Sequence, residues 1–237
     1  MADLTGKRVL VIGGSRGIGA AIVARLADEG ATVAFTYAGS RDAAEALVAS
    51  HGVEAVQSDA ADRDALIETV RSRGPLDVLV VNAGVAILGD PLAQDADAID
   101  RMIDINVRAP YHAAVEAART MNDAGRIVVI GSVNGDRVPT AGGAAYALTK
   151  SAVQGLVRGL SRDLGARGIT VNAVQPGPVD TDMNPANGSM VDVMHSFLAI
   201  KRHGTPQEVA GLVAYLVGPE AGYVTGALHT IDGGFGA

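Results

Sequence analysis

Arg8-Val9-Leu10-Val11-Ile12-Gly13-Gly14-Ser15-Arg16-Gly17-Ile18-Gly19 decides the fold. Its first five residues read as a short strand, and the apolar run stops at a glycine-rich turn from which a helix, Gly17–Asp28, opens and runs to Gly30. Glycines at 13, 17 and 19 permit a tight turn, close approach of backbone to a pyrophosphate, and close packing of helix on strand. The helix start adds free N–H groups and a positive dipole end, which favour phosphate. A glycine triplet in a chain with 30 glycines is weak by itself. Its place after the first strand and before a helix gives it meaning.

Outward from this turn, short β-rich runs alternate with helical stretches. Strands are expected at Arg8–Ile12, Thr32–Tyr37, Val53–Gln57, Asp77–Val81, Arg126–Gly131, Ile169–Val174 and Ala227–Ile231. Helices are expected at Gly17–Asp28, Asp42–Ser50, Arg63–Arg73, Ala96–Met121 with a bend near Pro110, Ala145–Ala166 and Pro206–Val217. The strands are continuous apolar runs such as Val78-Leu79-Val80-Val81, the pattern of strands covered on both faces. Regular βα alternation implies an α/β fold of the Rossmann type: a doubly wound parallel sheet of about seven strands in a three-layer α/β/α sandwich. The 237 residues fit a single dinucleotide-binding domain, 1–237. Gln175–Gly204, with Pro176, Pro178 and Pro185, lacks clear periodicity; it reads as a binding loop that caps the domain at about 182–204.

Composition narrows the chemistry. With no cysteine, disulfides, thiolate metal sites and a cysteine nucleophile are excluded. The 26 acidic against 19 basic residues give −7, a poor field for a nucleic-acid polymer or an anionic membrane. His51, His112, His195, His203 and His229 show no ligand spacing with a carboxylate, so no metal is expected. No leader or spanning segment is read, which makes a cytoplasmic protein the expectation. Asn187-Gly188-Ser189 fits the glycosylation pattern and is taken as incidental.

No acid stands at the end of the second strand, Phe35-Thr36-Tyr37-Ala38-Gly39-Ser40-Arg41, where one would hold the ribose 2′-hydroxyl of NAD. Arg16, Ser40 and Arg41 instead offer cations and a donor to a 2′-phosphate, which selects NADP(H). Tyr146 and Lys150 stand four residues apart on one helix face. A neighbouring ammonium favours the phenolate, and so would lower the ordinary tyrosine pKa of about 10. Ser132 follows a strand at the carboxyl end of the sheet, where open α/β sheets bind ligands. Asn106 lies in a long helix that could reach the same end.

With these residues together, the sequence resembles the short-chain dehydrogenase/reductase family from Thr5 to Gly236. The resemblance implies a glycine loop at Gly13, Ser15, Arg16, Gly17, Ile18 and Gly19, and an adenosine pocket at Tyr37, Ala38, Ser40, Asp59 and Ala60. It implies further cofactor contacts from Asn82-Ala83-Gly84, Pro176, Gly177, Val179, Thr181, Tyr146 and Lys150. The catalytic set would be Asn106, Ser132, Tyr146 and Lys150. Tyr146 would exchange a proton with a carbonyl or alcohol oxygen held by Ser132. Lys150 would hold the nicotinamide ribose, and Asn106 would fix a relay water. A homotetramer built partly on Ala145–Ala166 is also implied. Two positions depart from the family pattern: Ile12 replaces a threonine and Val81 an asparagine, on strands that should be neighbours, as if one polar contact had been exchanged for packing.

Several stretches resemble a subgroup of the family that binds cyclic-di-GMP: Phe35–Ser40, Gly131–Arg137, Asn184–Gly188 and Ala199–Gly204. Arg101-Met102-Ile103-Asp104 and Arg158-Gly159-Leu160-Ser161-Arg162 have the spacing of short cyclic-dinucleotide motifs but lie in helices without the wider motifs, and are read as helix-surface charges. Lys201, Arg202 and His203 are the better candidates for an anionic ligand, the alternative being that they cap the loop's return into the body. Substrate identity is assigned to 182–203 and 133–142; Met183, Met190, Met194, Phe197 and Leu198 are apolar enough to cover a small hydrophobic ketone, and the amphipathic spacing of Met190, Met194, Phe197 and Leu198 fits ordinary core packing equally well.

Overall fold

The structure, a computed structural model, describes residues 3–188 and 190–237. Seven strands form one parallel sheet: β1 (Arg8–Ile12), β2 (Thr32–Tyr37), β3 (Glu54–Gln57), β4 (Val78–Val81), β5 (Arg126–Ile130), β6 (Thr170–Pro176) and β7 (Leu228–Ile231). Their order is β3-β2-β1-β4-β5-β6-β7, and every neighbouring pair is parallel. Chain direction across the sheet therefore reverses between β1 and β4, and a ligand crevice opens at such a switch point.

The α-helices among the described residues are α1 (Gly17–Asp28), α2 (Arg41–His51), α3 (Arg63–Ser72), α4 (Ala96–Ile103), α5 (Ala109–Thr120), α6 (Ala144–Leu164), α7 (Val191–Phe197) and α8 (Pro206–Val217). Alternation along the strands divides the core. Val9 and Val11 of β1 join Ile22, Val23, Phe35, Val209 and Val213 on the face covered by α1 and α8. Leu10 and Ile12 join Leu66, Leu79, Val81, Ala113 and Val157 on the face covered by α3, α5 and α6. Both faces are apolar because both are covered, which is why these strands lack a polar alternation. Ile12 pairs with Val81 in register and both are fully buried, so the two departures from the family pattern do stand side by side.

Three expectations are corrected. The stretch expected to be one helix from Ala96 to Met121 is interrupted by a π-helical turn, Asp104–Arg108, between α4 and α5. Pro110 lacks an N–H, so it cannot give the α-helical bond to the carbonyl of Asn106, and the wider turn absorbs the mismatch. The cap contains a helix, α7, where no element was expected. Strand β6 runs two residues beyond Val174, to Pro176. Other ends differ by a residue or two, the ordinary fraying of helix and strand boundaries. Ser189 of the glycosylation pattern lies outside the described residues. No helix among those described is long and apolar enough to cross a membrane.

The cap leaves and rejoins the body at one place. Val179 bridges Gly204, the Asp180 N–H donates to the Gly204 carbonyl at 2.9 Å, and the Gly204 N–H donates to the Pro178 carbonyl at 2.9 Å. Thr205 then starts α8 with a reciprocal cap, its hydroxyl accepting from the Glu208 N–H while Glu208 accepts from the Thr205 N–H.

Candidate active site

A cavity of about 600 Å³ runs along the carboxyl ends of the strands, from Ser40 and Asp59 past the glycine loop to Ser132, Tyr146, Lys150 and the cap. The loop is shaped by contacts that only glycine satisfies. Gly13 has φ +79°, and a Cβ there would lie 2.7 Å from the Ala83 backbone. The Asn82 and Ala83 N–H groups both donate to the Ile12 carbonyl, at 2.9 and 2.8 Å. Asn82 Nδ2 donates to the Gly13 carbonyl at 2.6 Å, and the Gly13 N–H donates to Thr36 Oγ1 at 2.9 Å. The first turn of α1 has no side-chain cap, which leaves its N–H groups directed at whatever occupies the crevice.

Of the expected cofactor residues, Gly13, Ser15, Arg16, Gly17, Ile18, Tyr37, Ala38, Ser40, Asp59, Ala60, Asn82, Ala83, Gly84, Tyr146, Lys150, Pro176, Gly177, Val179 and Thr181 all line this cavity. Gly19 does not. It sits behind the loop, where a Cβ would lie 2.1 Å from the Gly13 carbonyl oxygen. The residues fit a dinucleotide, with a glycine cradle that any Cβ would fill and no acid at the end of β2. Asp59 is held below the usual carboxylate range. Burial, the largest influence, pushes it up, but the Arg101 guanidinium at 2.8 Å and the Ala61 N–H outweigh it. Arg16 meets Asp182 at 3.3 Å with both side chains exposed. Arg41 faces away from the cavity, on Gln57 and Glu45.

At the other end, Ser132, Tyr146 and Lys150 converge. Lys150 is 5% exposed, donates to the Ile130 carbonyl at 3.1 Å and lies 5.8 Å from the Tyr146 ring centroid. Burial without an acidic partner pushes its ammonium down to about 8. The expected lowering of the tyrosine by this ammonium is overridden: burial raises the Tyr146 phenol, and only the neighbouring Ser132 hydroxyl opposes the rise. Ser132 also caps the 3₁₀ turn Val133–Gly135, its oxygen accepting from the Asn134 N–H at 3.1 Å. Asn106 lies outside the cavity wall. Its side chain is spent on the Val85 N–H (2.9 Å), the Val85 carbonyl (2.8 Å) and Thr149 Oγ1 (3.0 Å), bracing the turn after Gly84.

The cap cations are not free for an anion. Lys201 donates to the carbonyls of His195 (3.0 Å) and Ser196 (3.3 Å) at the end of α7, and Arg202 holds both carboxylate oxygens of Glu208. His203 is buried against His195, ring nitrogens 2.9 Å apart, and burial followed by the neighbouring histidine lowers it, opposed by Asp180. Sequence reasoning missed Arg101, set aside as helix surface, and Phe235. Both line the cavity, and Phe235 packs edge-on against Phe197 of α7 at 5.7 Å. Arg101 carried a sequence signal in its spacing to Asp104, whereas Phe235 carried none.

Residues 12–236 match the family model described as enoyl-(acyl carrier protein) reductase. The cyclic-di-GMP-binding biofilm dispersal mediator protein of Escherichia coli (strain K12) is 65% identical over the whole of both chains. The 3-oxoacyl-[acyl-carrier-protein] reductase MabA of Mycobacterium tuberculosis (strain ATCC 25618 / H37Rv) is 37% identical over 97% of this chain and 93% of its own. Among solved structures, that of BdcA in complex with NADPH superposes with a TM-score of 0.97 at 65% identity, covering 98% of this chain and 96% of the other.

Proposed function

Because the chain belongs to the short-chain dehydrogenase/reductase family, we propose that it is an NADP(H)-dependent oxidoreductase interconverting a carbonyl and an alcohol, working as one domain whose cap shapes the substrate end. One observation carries this reading: Ser132, Tyr146 and Lys150 line the same cavity as a glycine loop and the donors Arg16 and Ser40. When bound, the cofactor supplies or accepts the hydride. The loop 13–19 would hold its phosphates on the α1 N–H groups, and Pro176, Gly177, Val179 and Thr181 would run along its nicotinamide, with Asn82, Ala83 and Gly84 lining the same cavity. An exposed ion pair such as Arg16–Asp182 is worth only about 0–1 kcal/mol, so Arg16 is free to turn to a 2′-phosphate.

In reduction, Tyr146 gives the proton from its Oη to the carbonyl oxygen, and Ser132 donates a hydrogen bond to that oxygen. The raised phenol suits this direction, since it is protonated and ready to donate at neutral pH. Lys150 holds the ribose, and Asn106 acts as a brace on Val85. Met183, Met190, Met194, Phe197 and Phe235 make the substrate end apolar. The exposed groove on α5 and α6 around Tyr111, Gly155 and Gly159 supports the family's homotetramer.

Tyr146→Phe is expected to slow carbonyl reduction at least ~100-fold while leaving NADPH binding in place; unchanged turnover would defeat the mechanism. NADPH should outperform NADH, and the reverse preference would contradict the assignment of Arg16 and Ser40.

A second reading, cyclic-di-GMP binding, is favoured by the name of the 65% identical relative. Arg101, at the cavity wall, pairs with Asp59 through Nη2 and has further N–H groups to offer such a ligand. Titration with cyclic-di-GMP, with and without NADPH, decides it: absence of binding at high micromolar ligand removes this reading.

A further inference from the structure

The 3₁₀ turn that begins at Ser132 is held from two sides by side chains outside the catalytic set. From α6, Ser151 Oγ donates to the Gly135 carbonyl at 2.8 Å, and Gln154 Nε2 donates to Asp136 Oδ1 at 2.7 Å. From β6, Gln175 Nε2 donates to Asp136 Oδ2, and Gln175 Oε1 accepts from Gln154 Nε2 at 3.1 Å. The side chains of Asp136, Gln154 and Gln175 form a closed ring of donors and acceptors around one carboxylate. Gln175 is 1% exposed, and no ion pair to Asp136 occurs among the described residues. The turn also lies hard against the helix. A Cβ on Gly135 would stand 3.0 Å from the Lys150 carbonyl oxygen and 2.9 Å from Gln154 Nε2.

We infer that Asp136 is a positioning residue of the reaction, fixing the Ser132 hydroxyl against the helix that carries Tyr146 and Lys150. The inference rests on the oxidoreductase reading. Ser132 is joined to Asp136 through a single 3₁₀ turn, whose amide at Asn134 is already tied to Ser132 Oγ. Whatever holds the end of that turn therefore holds the serine. The carboxylate accepts from α6 and β6 at once, so it sets the turn's distance from both. Misplacing a reacting group by about 1 Å can cost ~100-fold in rate. Because Ser132 is the one group that favours the Tyr146 phenolate, a loosened turn also moves the tyrosine's ionisation upward.

The ring offers a polarity swap. In Asp136→Asn the new amide faces the Gln175 amide, donor against donor. In Gln175→Glu two carboxylates face each other. In Asp136→Asn/Gln175→Glu the carboxylate moves to residue 175, the amide now at position 136 donates to it, and Gln154 still donates to both, so every polar atom is satisfied. The experiment measures NADPH-dependent carbonyl reduction across pH, NADPH affinity and thermal unfolding for the parent protein and these three variants. The Tyr146 titration is also followed by phenolate absorption, which needs no turnover. The chain has 5 tyrosines and no tryptophan, so subtracting the titration of Tyr146→Phe isolates that residue.

Each single variant is expected to lose about ten- to a hundredfold in kcat with NADPH affinity within about twofold, the Tyr146 titration displaced upward, and the double variant restored. Parent-like kcat and tyrosine titration in Asp136→Asn overturn the inference. So does a loss that follows unfolding and NADPH affinity together and that the double variant fails to restore. If the parent reduces no carbonyl while the tyrosine titration still moves and is restored, the oxidoreductase reading falls and the placement of Ser132 by Asp136 stands.

Discussion

Gly19 gives a quantitative test of how the cofactor loop is held. A methyl group added there would lie 2.1 Å from the Gly13 carbonyl oxygen and 2.6 Å from Asn82 Nδ2, whereas real Cβ atoms essentially never come within 3.0 Å of a neighbour. The Gly13 carbonyl would have to retreat by about an ångström, and its 2.6 Å hydrogen bond from Asn82 would go with it. Leaving that half-buried pair unmade costs about 1–3 kcal/mol, and overpacking costs about 1–3 kcal/mol more. The better helix propensity of alanine returns about 1 kcal/mol. Gly19→Ala should therefore destabilise by about 1–5 kcal/mol, a melting point lower by roughly 2–20 °C for a domain of this size. It should also lose much of the stabilisation that NADPH gives the parent protein. Gly211, inside α8, is the control, because a Cβ there meets only the end of the Arg25 side chain, at 3.7 Å. Gly211→Ala should stabilise by about 0.5–1 kcal/mol. Thermal unfolding with and without NADPH measures both. If Gly19→Ala melts like the parent and is stabilised equally by NADPH, the packing of loop on helix has been misjudged.

Lys150 should weaken the cofactor-free fold. Its folded value of about 8 lies below its ordinary 10.5, so between those values the unfolded chain binds more protons and stability rises with pH. Lys150→Met should remove that rise and stabilise the protein at pH 7 by about 2 kcal/mol, while abolishing reduction; denaturant unfolding at pH 7 and near 10 checks the sign. Ile12→Thr alone should cost more stability than Ile12→Thr with Val81→Asn, because the two side chains share one buried register position. Strictly additive effects in the double-mutant cycle would remove the idea of a compensated pair.

The parallel sheet was legible because β1 and β4 are uninterrupted apolar runs and Gly13 and Gly17 stand where β1 ends. Most of the cavity wall was legible for a similar reason, since it sits at strand ends. Other features depend on contacts that no local pattern records. The π-helical turn at 104–108 keeps the hydrophobic period of a continuous helix, so only the missing N–H of Pro110 hinted at it. Helix α7 spans only two turns in a segment full of turn residues, so the amphipathic spacing of Met190, Met194, Phe197 and Leu198 was too brief to define an element. Lys201 and Arg202 looked available because charge is visible in a sequence, while the carbonyls at the end of α7 and the Glu208 carboxylate that occupy them are brought there by the fold. Asp136, Gln154 and Gln175 were unreadable together, coming from a loop, a helix and a strand.

The meeting of Val179 and Gly204 has a consequence for how this scaffold can diversify. The stretch between them begins and ends at one hydrogen-bonded stitch, so its length makes little difference to the geometry of β6 or α8. Lengthening such a closed loop costs only about 0.6 kcal/mol per doubling. On the proposed function, the segment that closes the substrate end is thus an exchangeable cassette, and a different loop inserted at the same stitch is expected to give the same proton-transfer residues a new range of carbonyl compounds without asking the sheet to refold.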